Sequence, residues 1–502
     1  MSDPVVVQAA LTDHLPVLQV IVPLLAAPVC VIFKERRASR ALAIAASWLC
    51  LYISVSLLGT VLDHGAISYA LGGWAAPYGI EYRVDVVNAY VLVIVSAVAA
   101  VVMPFGRSEE GLDVDPSRVH LYYAALLLCL CGLLGMAVTG DAFNIFVFLE
   151  ISSLASYTLI ATGKGRRALR AAYSYLVMGT IGGTFYLIGI GLLYQVTGTL
   201  NIGDLAVRLE PVMQSREVVV AFAFLVVGLG IKLALFPLHQ WLPNAYTYAP
   251  AKVSAFLAAT ATKVGVYVLL RVLFGIFGVA FVFGQLELHK LLVPLSLAAM
   301  FIGSIAAIAQ TNIKRLLAYS SIAQIGYMTL GIAMANVSGL TGGIVHLFNH
   351  AMMKGGLFLV VACVVARTGS ARIEDMAGLG KQMPVTMAAF VVGGLSLIGV
   401  PATVGFVSKW YLVQGALQRG WNWAAVLILL SSLLAVVYVW RVLEVVYFRD
   451  RPAGAPDVTE VGAAMRIPTW ILIGASVVFG LQANLTVGVA EKAALVLLGG
   501  AG

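Results

Sequence analysis

Seven titratable side chains fall inside stretches that are otherwise apolar: Glu150, Lys232, Lys263, His346, His350, Lys354 and Lys409. A charge at the centre of a membrane span costs at least about 2.5–3.5 kcal/mol. Each one that persists therefore needs a partner or a job. The residue types suit proton transfer: lysine shifts its pKa readily on burial, whereas arginine stays charged, and histidine titrates near neutrality at two ring nitrogens.

Glu150 closes the run GDAFNIFVFLE and Lys232 sits in GLGIKLALFPLHQWLP. A buried carboxylate alone takes up a proton, and a nearby ammonium keeps it ionised. The pair reads either as a structural ion pair or as a switch. In the switch, Glu150 is drawn away, burial favours the neutral amine, and the proton leaves Lys232. Lys263 follows within ATATKVGVYVLL, where Thr260 and Thr262 offer hydroxyls for a short water chain; the plain alternative is a lysine snorkelling to the interface. His346, His350 and Lys354 recur every four residues, so they line one stripe of a helix over about 12 Å. A satisfied core histidine is the default for either one alone, but two with a lysine on one face favour a relay. No carboxylate or cysteine in these spans completes a metal site, and two histidines on one helix fit poorly with a b-type haem, which needs axial ligands from opposite sides. Lys409, in LIGVPATVGFVSKWYL, is placed to carry the proton toward its exit. Arg441 and Glu444, at i and i+3, read as a structural pair.

The elements that must hold these groups are membrane helices. The chain has 502 residues, 61% hydrophobic and 11% charged, against about 25% charged in ordinary globular domains. Runs of about 20 apolar residues predict fourteen spans: 15–33, 41–62, 84–104, 119–138, 141–162, 168–194, 218–238, 250–272, 291–310, 317–336, 340–366, 385–412, 422–448 and 466–487. No polar stretch is long enough for an extramembrane domain, so residues 1–502 form one transmembrane domain.

The net charge of +8 sets topology rather than nucleic-acid binding. Lys34, Arg36, Arg37 and Arg40, then Lys164, Arg166, Arg167 and Arg170, then Lys314 and Arg315, Arg367, Arg372 and Lys381, and Arg449, Arg451 and Arg466 cluster in alternate loops. That is the positive-inside pattern, and it turns both termini outward. The loop after span three is the exception, holding Glu109, Glu110, Asp113 and Asp115 beside Arg107 and Arg118; acids weigh little in topology. Cys30, Cys50, Cys129, Cys131 and Cys363 read as small core residues. Asp3 and Asp13 stand where a signal peptide needs positive charge, so no cleaved leader is expected.

Spans seven and twelve are interrupted, by Pro237 and Pro243 and by Pro401 and Gly405. Proline frees a carbonyl that lipid cannot satisfy, so such breaks survive only inside protein or beside a wet cavity. Matching breaks in the two halves point to inverted repeats with ion sites at the breaks. The expected repeats are spans four to eight (residues 119–272) and nine to thirteen (residues 291–448).

GDAFNIFVFLE, GIKLALFPLHQWLPNAYTYAP, TNIKRLLAYSSIAQIGY, HLFNHAMMKGGLFL and GVPATVGFVSKWYL resemble the antiporter-like subunits of respiratory complex I, of Mrp-type sodium/proton antiporters and of membrane-bound hydrogenases. The resemblance runs from about residue 80 to 450. NIFVFLEISSLASYTLI and TGTLNIGDL resemble most the Mrp D subunit and its hydrogenase relatives. The resemblance implies an all-α fold of fourteen helices with inverted five-helix repeats. It also implies a central polar axis through Glu150, Lys232, Lys263, the span-eleven histidines and Lys409. Two departures stand out. Asn244 replaces the usual Asp after WLP. Ser174 replaces a basic residue of span six, for which Arg170 is the candidate stand-in.

The expected function is a proton-translocating subunit of a multisubunit Na⁺/proton antiporter in a bacterial or archaeal cell membrane. Its partners are other membrane subunits, protons, Na⁺ and the bilayer, with no cofactor, metal or nucleic acid. The alternative is a proton-pumping subunit of a quinone oxidoreductase or hydrogenase whose redox groups lie in other chains. A stand-alone carrier is a third reading.

Overall fold

The computed structural model describes residues 11–106, 114–453 and 457–499. Asp3, Arg107, Glu109, Glu110 and Asp113 lie outside the described residues. Eleven helices are long and apolar enough to cross a membrane. Val86–Val102 makes a twelfth span, and two more are each built from a pair of shorter helices, so the spans among the described residues number fourteen.

Span seven is Arg216–Lys232 followed by Trp241–Tyr248, and span twelve is Pro384–Ile398 followed by Val404–Gln418. At the first break the Trp241 indole donates to the Ile231 carbonyl at 2.8 Å, and Leu235 N–H reaches back to Gly230 O. At the second, the carbonyls of Leu397 and Ile398, left over at the end of the first half, accept from Lys409 Nζ at 3.2 and 2.6 Å. Freed backbone groups thus find protein partners, as a low-dielectric setting requires.

Span fourteen differs from its expected bounds of 466–487. It runs as Ala463–Leu481 and Asn484–Leu497, a third broken span with its joint at Gln482 and Ala483. Gly480 makes the joint possible, because a Cβ there would lie 2.5 Å from the Thr403 carbonyl carbon. The joint therefore packs directly on the break of span twelve, and Phe479 stacks edge-on to Phe348 of span eleven. The polar residues Gln482, Asn484, Glu491 and Lys492 dilute the hydropathy that would have marked the second helix.

Spans four, eight, ten and eleven are buried along most of their length, whereas spans one, two, six, thirteen and fourteen turn much of their surface outward. Span ten, Ile313–Met334, is the least apolar of the eleven long helices yet is the most enclosed. Its neighbours are protein rather than lipid, which is why it tolerates Gln324 and several hydroxyls. Outside the helices, strands β1 (Ile67–Ala70) and β2 (Glu81–Val84) form an antiparallel hairpin between spans two and three. All five cysteines are buried with free thiols.

Arg441 and Glu444 do not pair with each other. Arg441 donates to the carbonyls of Ile308 and Gln310 at the C-terminal end of span nine, where the helix dipole favours a cation. Glu444 opens a π-helical turn (Glu444–Phe448) and takes Arg449 at 2.9 Å instead.

Candidate functional site

Span five, Ala142–Ala161, starts at the Asp141 N-cap and carries Glu150 near its middle. Lys232 ends the first half of span seven, so its side chain emerges where the helix stops. Its Nζ lies 3.2 Å from Glu150 Oε1 and donates to the Ser153 hydroxyl at 2.9 Å. Ser153 stands three residues after Glu150, on the same helical face. The lysine side chain is 7% exposed and the glutamate 25%, so the lysine is enclosed while the glutamate reaches the outer surface of the bundle. Across from it, span six supplies not a base but a gap, since a Cβ on Gly183 would fall 2.3 Å from Glu150 Oε1. Arg170 is exposed and lies thirteen residues from Gly183, about 20 Å along the helix. It does not stand in beside Glu150. Ser174 and Asn244 are both half-buried, on spans six and seven.

A cavity of about 30 Å³ lies beside Lys232, walled by Ser152, Ser153 and Ser156 of span five and by Ala261 and Gly265 of span eight. It is polar on one side and large enough for a water molecule. It extends the pair toward span eight, whose Lys263 is fully buried. Lys263 Nζ donates to the Ala258 carbonyl and, at 3.4 Å, to Thr262 Oγ1. Thr260 bonds Phe256 O instead.

His346, His350 and Lys354 lie on one continuous helix, Val337–Thr368, all at 0% exposure. The rings of His346 and His350 are stacked with centroids 6.0 Å apart. His346 Nδ1 is 2.8 Å from the Ser408 hydroxyl and Nε2 is 2.9 Å from Gln324 Oε1. A neutral imidazole satisfies both by accepting at Nδ1 and donating from Nε2. His350 differs: neither ring nitrogen has a hydrogen-bond partner, although Lys263, Lys354 and His346 all stand within electrostatic reach. Lys354 donates to Leu317 O at 2.9 Å and to the Ser320 hydroxyl.

Lys409 reaches back to the break of span twelve, donating to Ile398 O at 2.6 Å and Leu397 O at 3.2 Å, and lies 5.1 Å over the Tyr327 ring. Lys409 and Lys232 are therefore held differently: Lys232 by a carboxylate, Lys409 by orphan carbonyls at a helix end. Tyr327 and His346 are neighbours, with ring centroids 5.8 Å apart.

Several members of this cluster carry no signal in the sequence taken alone. Ser153 and Ser408 were within reach, being three residues and one residue from a predicted group. Gln324, Ser320 and Tyr327 belong to span ten and meet the others only in three dimensions. Lys252 and Lys314 are also buried, donating to Met103 O and Ala249 O at the basic ends of spans three and seven.

Fourteen spans, two of them broken where a lysine side chain docks, define a polytopic membrane protein of antiporter-like architecture. Residues 139–435 match the family described as NADH:quinone oxidoreductase/Mrp antiporter, transmembrane. The chain is 44% identical to the N subunit of the NADH-quinone oxidoreductase of Desulforudis audaxviator, over 94% of this chain and 96% of that protein. It is 32% identical to the D subunit of the Na⁺/H⁺ antiporter of Bacillus subtilis, over 97% of each. A chain of the Mrp complex from Dietzia sp. DQ12-45-1b superposes with a TM-score of 0.89 at 27% identity, covering 98% of both. The chain belongs to the NADH:quinone oxidoreductase/Mrp antiporter membrane-subunit family, and it is a multi-pass protein of a bacterial or archaeal plasma membrane.

Proposed function

We propose that this chain is the proton-translocating subunit of a multisubunit Na⁺/proton antiporter, of the kind represented by the Mrp D subunit, working within a hetero-oligomeric membrane complex. The observation that supports it best is the chain of enclosed titratable groups across the middle of the bundle. It starts at the Glu150–Lys232 pair, continues through Lys263, His350, Lys354 and His346, and ends at Lys409.

In this reading, Glu150 holds the Lys232 ammonium until an approaching charge draws the carboxylate away. The buried lysine, left without its counter-charge, then gives its proton to water in the adjoining cavity. Lys263, the histidines and Lys354 pass a proton onward, and Lys409 delivers it near the second break. The two halves, residues 119–272 and 291–448, act as inverted repeats, each contributing one broken span.

A second reading has a specific observation behind it. The 44% identity to the N subunit of a quinone oxidoreductase favours a proton-pumping subunit of a redox complex. Purification of the native complex separates the two: small antiporter subunits support the first, iron–sulfur subunits the second.

The test common to both is Lys232→Met. Proton-coupled transport in vesicles is expected to vanish while the complex still assembles. Normal transport in an intact complex would sink the relay.

A further inference from the structure

On the face opposite the basic loops, a cavity of about 280 Å³ opens between the N-terminal end of span three, the C-terminal end of span eight and the last residues of span fourteen. At a share of about 30 Å³ per water in the liquid, it holds several. Arg83, Thr139, Ile202 and Tyr267 line it, together with an ion pair that no step above uses. Arg271 Nη2 sits 2.5 Å from Asp85 Oδ1, and both side chains are 13% exposed. Arg271 Nε also donates to the Tyr267 hydroxyl at 3.0 Å, which in turn donates to Ala137 O at 3.0 Å.

The position of this pair is informative. Met136 and Val268 border the small cavity beside Lys232; Thr139 and Arg271 border the large one. On span four the two cavities are thus separated by three residues, about 4.5 Å of helix rise, and on span eight Tyr267 of the large cavity adjoins Val268 of the small one. Tyr267 and the Asp85–Arg271 pair line the large cavity where it comes nearest to the small one. We propose that this cavity is a proton port joining Lys232 to the outer water, with Asp85 as the proton-carrying group of its gate.

A proton reaching Asp85 converts the carboxylate to the neutral acid and removes its attraction for Arg271. Loss of that proton to the water of the cavity restores the carboxylate and recloses the pair. Among the described residues lining the cavity, one acid, Asp85, faces two guanidiniums, Arg83 and Arg271, which makes a poor site for a hydrated metal cation; the same guanidiniums favour the carboxylate, so a proton that reaches Asp85 is released readily to the cavity.

The inference rests on the relay reading through Lys232, and the test separates the two. Asp85 caps span three, accepting from the Val87 and Asn88 amides. Asparagine caps equally well but leaves the Arg271 guanidinium without its counter-charge, so Asp85→Asn is paired with the double variant Asp85→Asn, Arg271→Gln, which removes titration without leaving a bare buried cation. In the whole complex, assayed in vesicles, Asp85→Asn, alone and in the double variant, is expected to lower proton flux about a hundredfold, the scale of a positioned proton carrier, and Asp85→Glu to retain most of it. Wild-type flux in Asp85→Asn while Lys232→Met is dead overturns the port alone; flux in Lys232→Met overturns the relay beneath it.

An independent arm avoids the gate itself. Because every native cysteine is buried, Ile202→Cys can be labelled selectively in right-side-out vesicles with the impermeant reagent 2-(trimethylammonium)ethyl methanethiosulfonate. Flux measured before and after labelling is expected to fall severalfold as the cation fills the cavity. Complete labelling with unchanged flux overturns the port.

Discussion

The Glu150 carboxylate occupies space that Gly183 leaves open on the facing helix. A Cβ at residue 183 would lie 2.3 Å from Oε1, the oxygen that stands 3.2 Å from Lys232 Nζ. The clash falls on the end of a flexible side chain, so relief comes from moving the carboxylate rather than the backbone. Gly183→Ala is therefore expected to leave assembly intact and to reduce proton flux by about tenfold or more, since displacing a reacting group by an ångström costs up to about a hundredfold. Gly191→Ala, on the same helix with nothing within 4 Å of the added carbon, is the matched control. Equal flux in the two variants would show that the exact seat of Glu150 does not matter.

The two histidines of span eleven make opposite predictions for stability. His350 keeps both ring nitrogens unpartnered inside the bundle, a situation that costs about 1–3 kcal/mol per buried polar group. A carrier that must release its proton benefits from such loose tethering. His350→Phe is expected to hold or raise the thermal midpoint of the complex while transport falls by about a hundredfold. His346→Ala should slow transport and lower the midpoint, because it strands Ser408 and Gln324. Scanning calorimetry beside vesicle flux reads both. A His350→Phe complex that transports normally would reduce this residue to packing.

How much of this was written in the sequence depends on whether an interaction is local along the chain. Span positions follow from apolar runs, and the breaks of spans seven and twelve from prolines that no continuous helix accommodates. The joint in span fourteen escaped notice because it depends on Gly480 meeting Thr403, residues far apart in sequence. The same holds in the cluster. Glu150, Lys232, Lys263, His346, His350, Lys354 and Lys409 are conspicuous because charge in an apolar run is costly. Gln324 and Gly183 are ordinary in their own helices and become significant only through what the neighbouring helix presents. Arg441 illustrates the converse: its helical neighbour Glu444 looked sufficient, and the carbonyls of span nine were the better acceptors.

Lys409 tests whether the second half needs a base that can discharge. Its ammonium is held by the carbonyls of Leu397 and Ile398, which a guanidinium also satisfies. Arginine, however, does not give up its proton in a protein. Lys409→Arg is expected to assemble and to lose flux by about a hundredfold, as read from ΔpH-sensitive dye in vesicles. Retained flux would demote Lys409 to a brace for the broken helix.

The break in span twelve is itself open to test, through a glycine whose neighbour cannot yield. A Cβ on Gly405 would fall 1.8 Å from the Ser396 carbonyl oxygen, which belongs to the backbone of the first half-helix. No rotamer change relieves that contact, in contrast to the carboxylate opposite Gly183. Gly405→Ala must therefore push the two half-helices apart, and overpacking of this kind costs about 1–3 kcal/mol or more. Separation would also draw the Ile398 carbonyl away from Lys409 and shift Ser408 against His346. The expected result is a lower thermal midpoint together with lost transport, and a smaller yield of intact complex on native gels. A Gly405→Ala protein as stable as the parent would mean that the half-helices do not meet as closely as Ser396 and Gly405 indicate, and the docking of Lys409 would lose its structural basis.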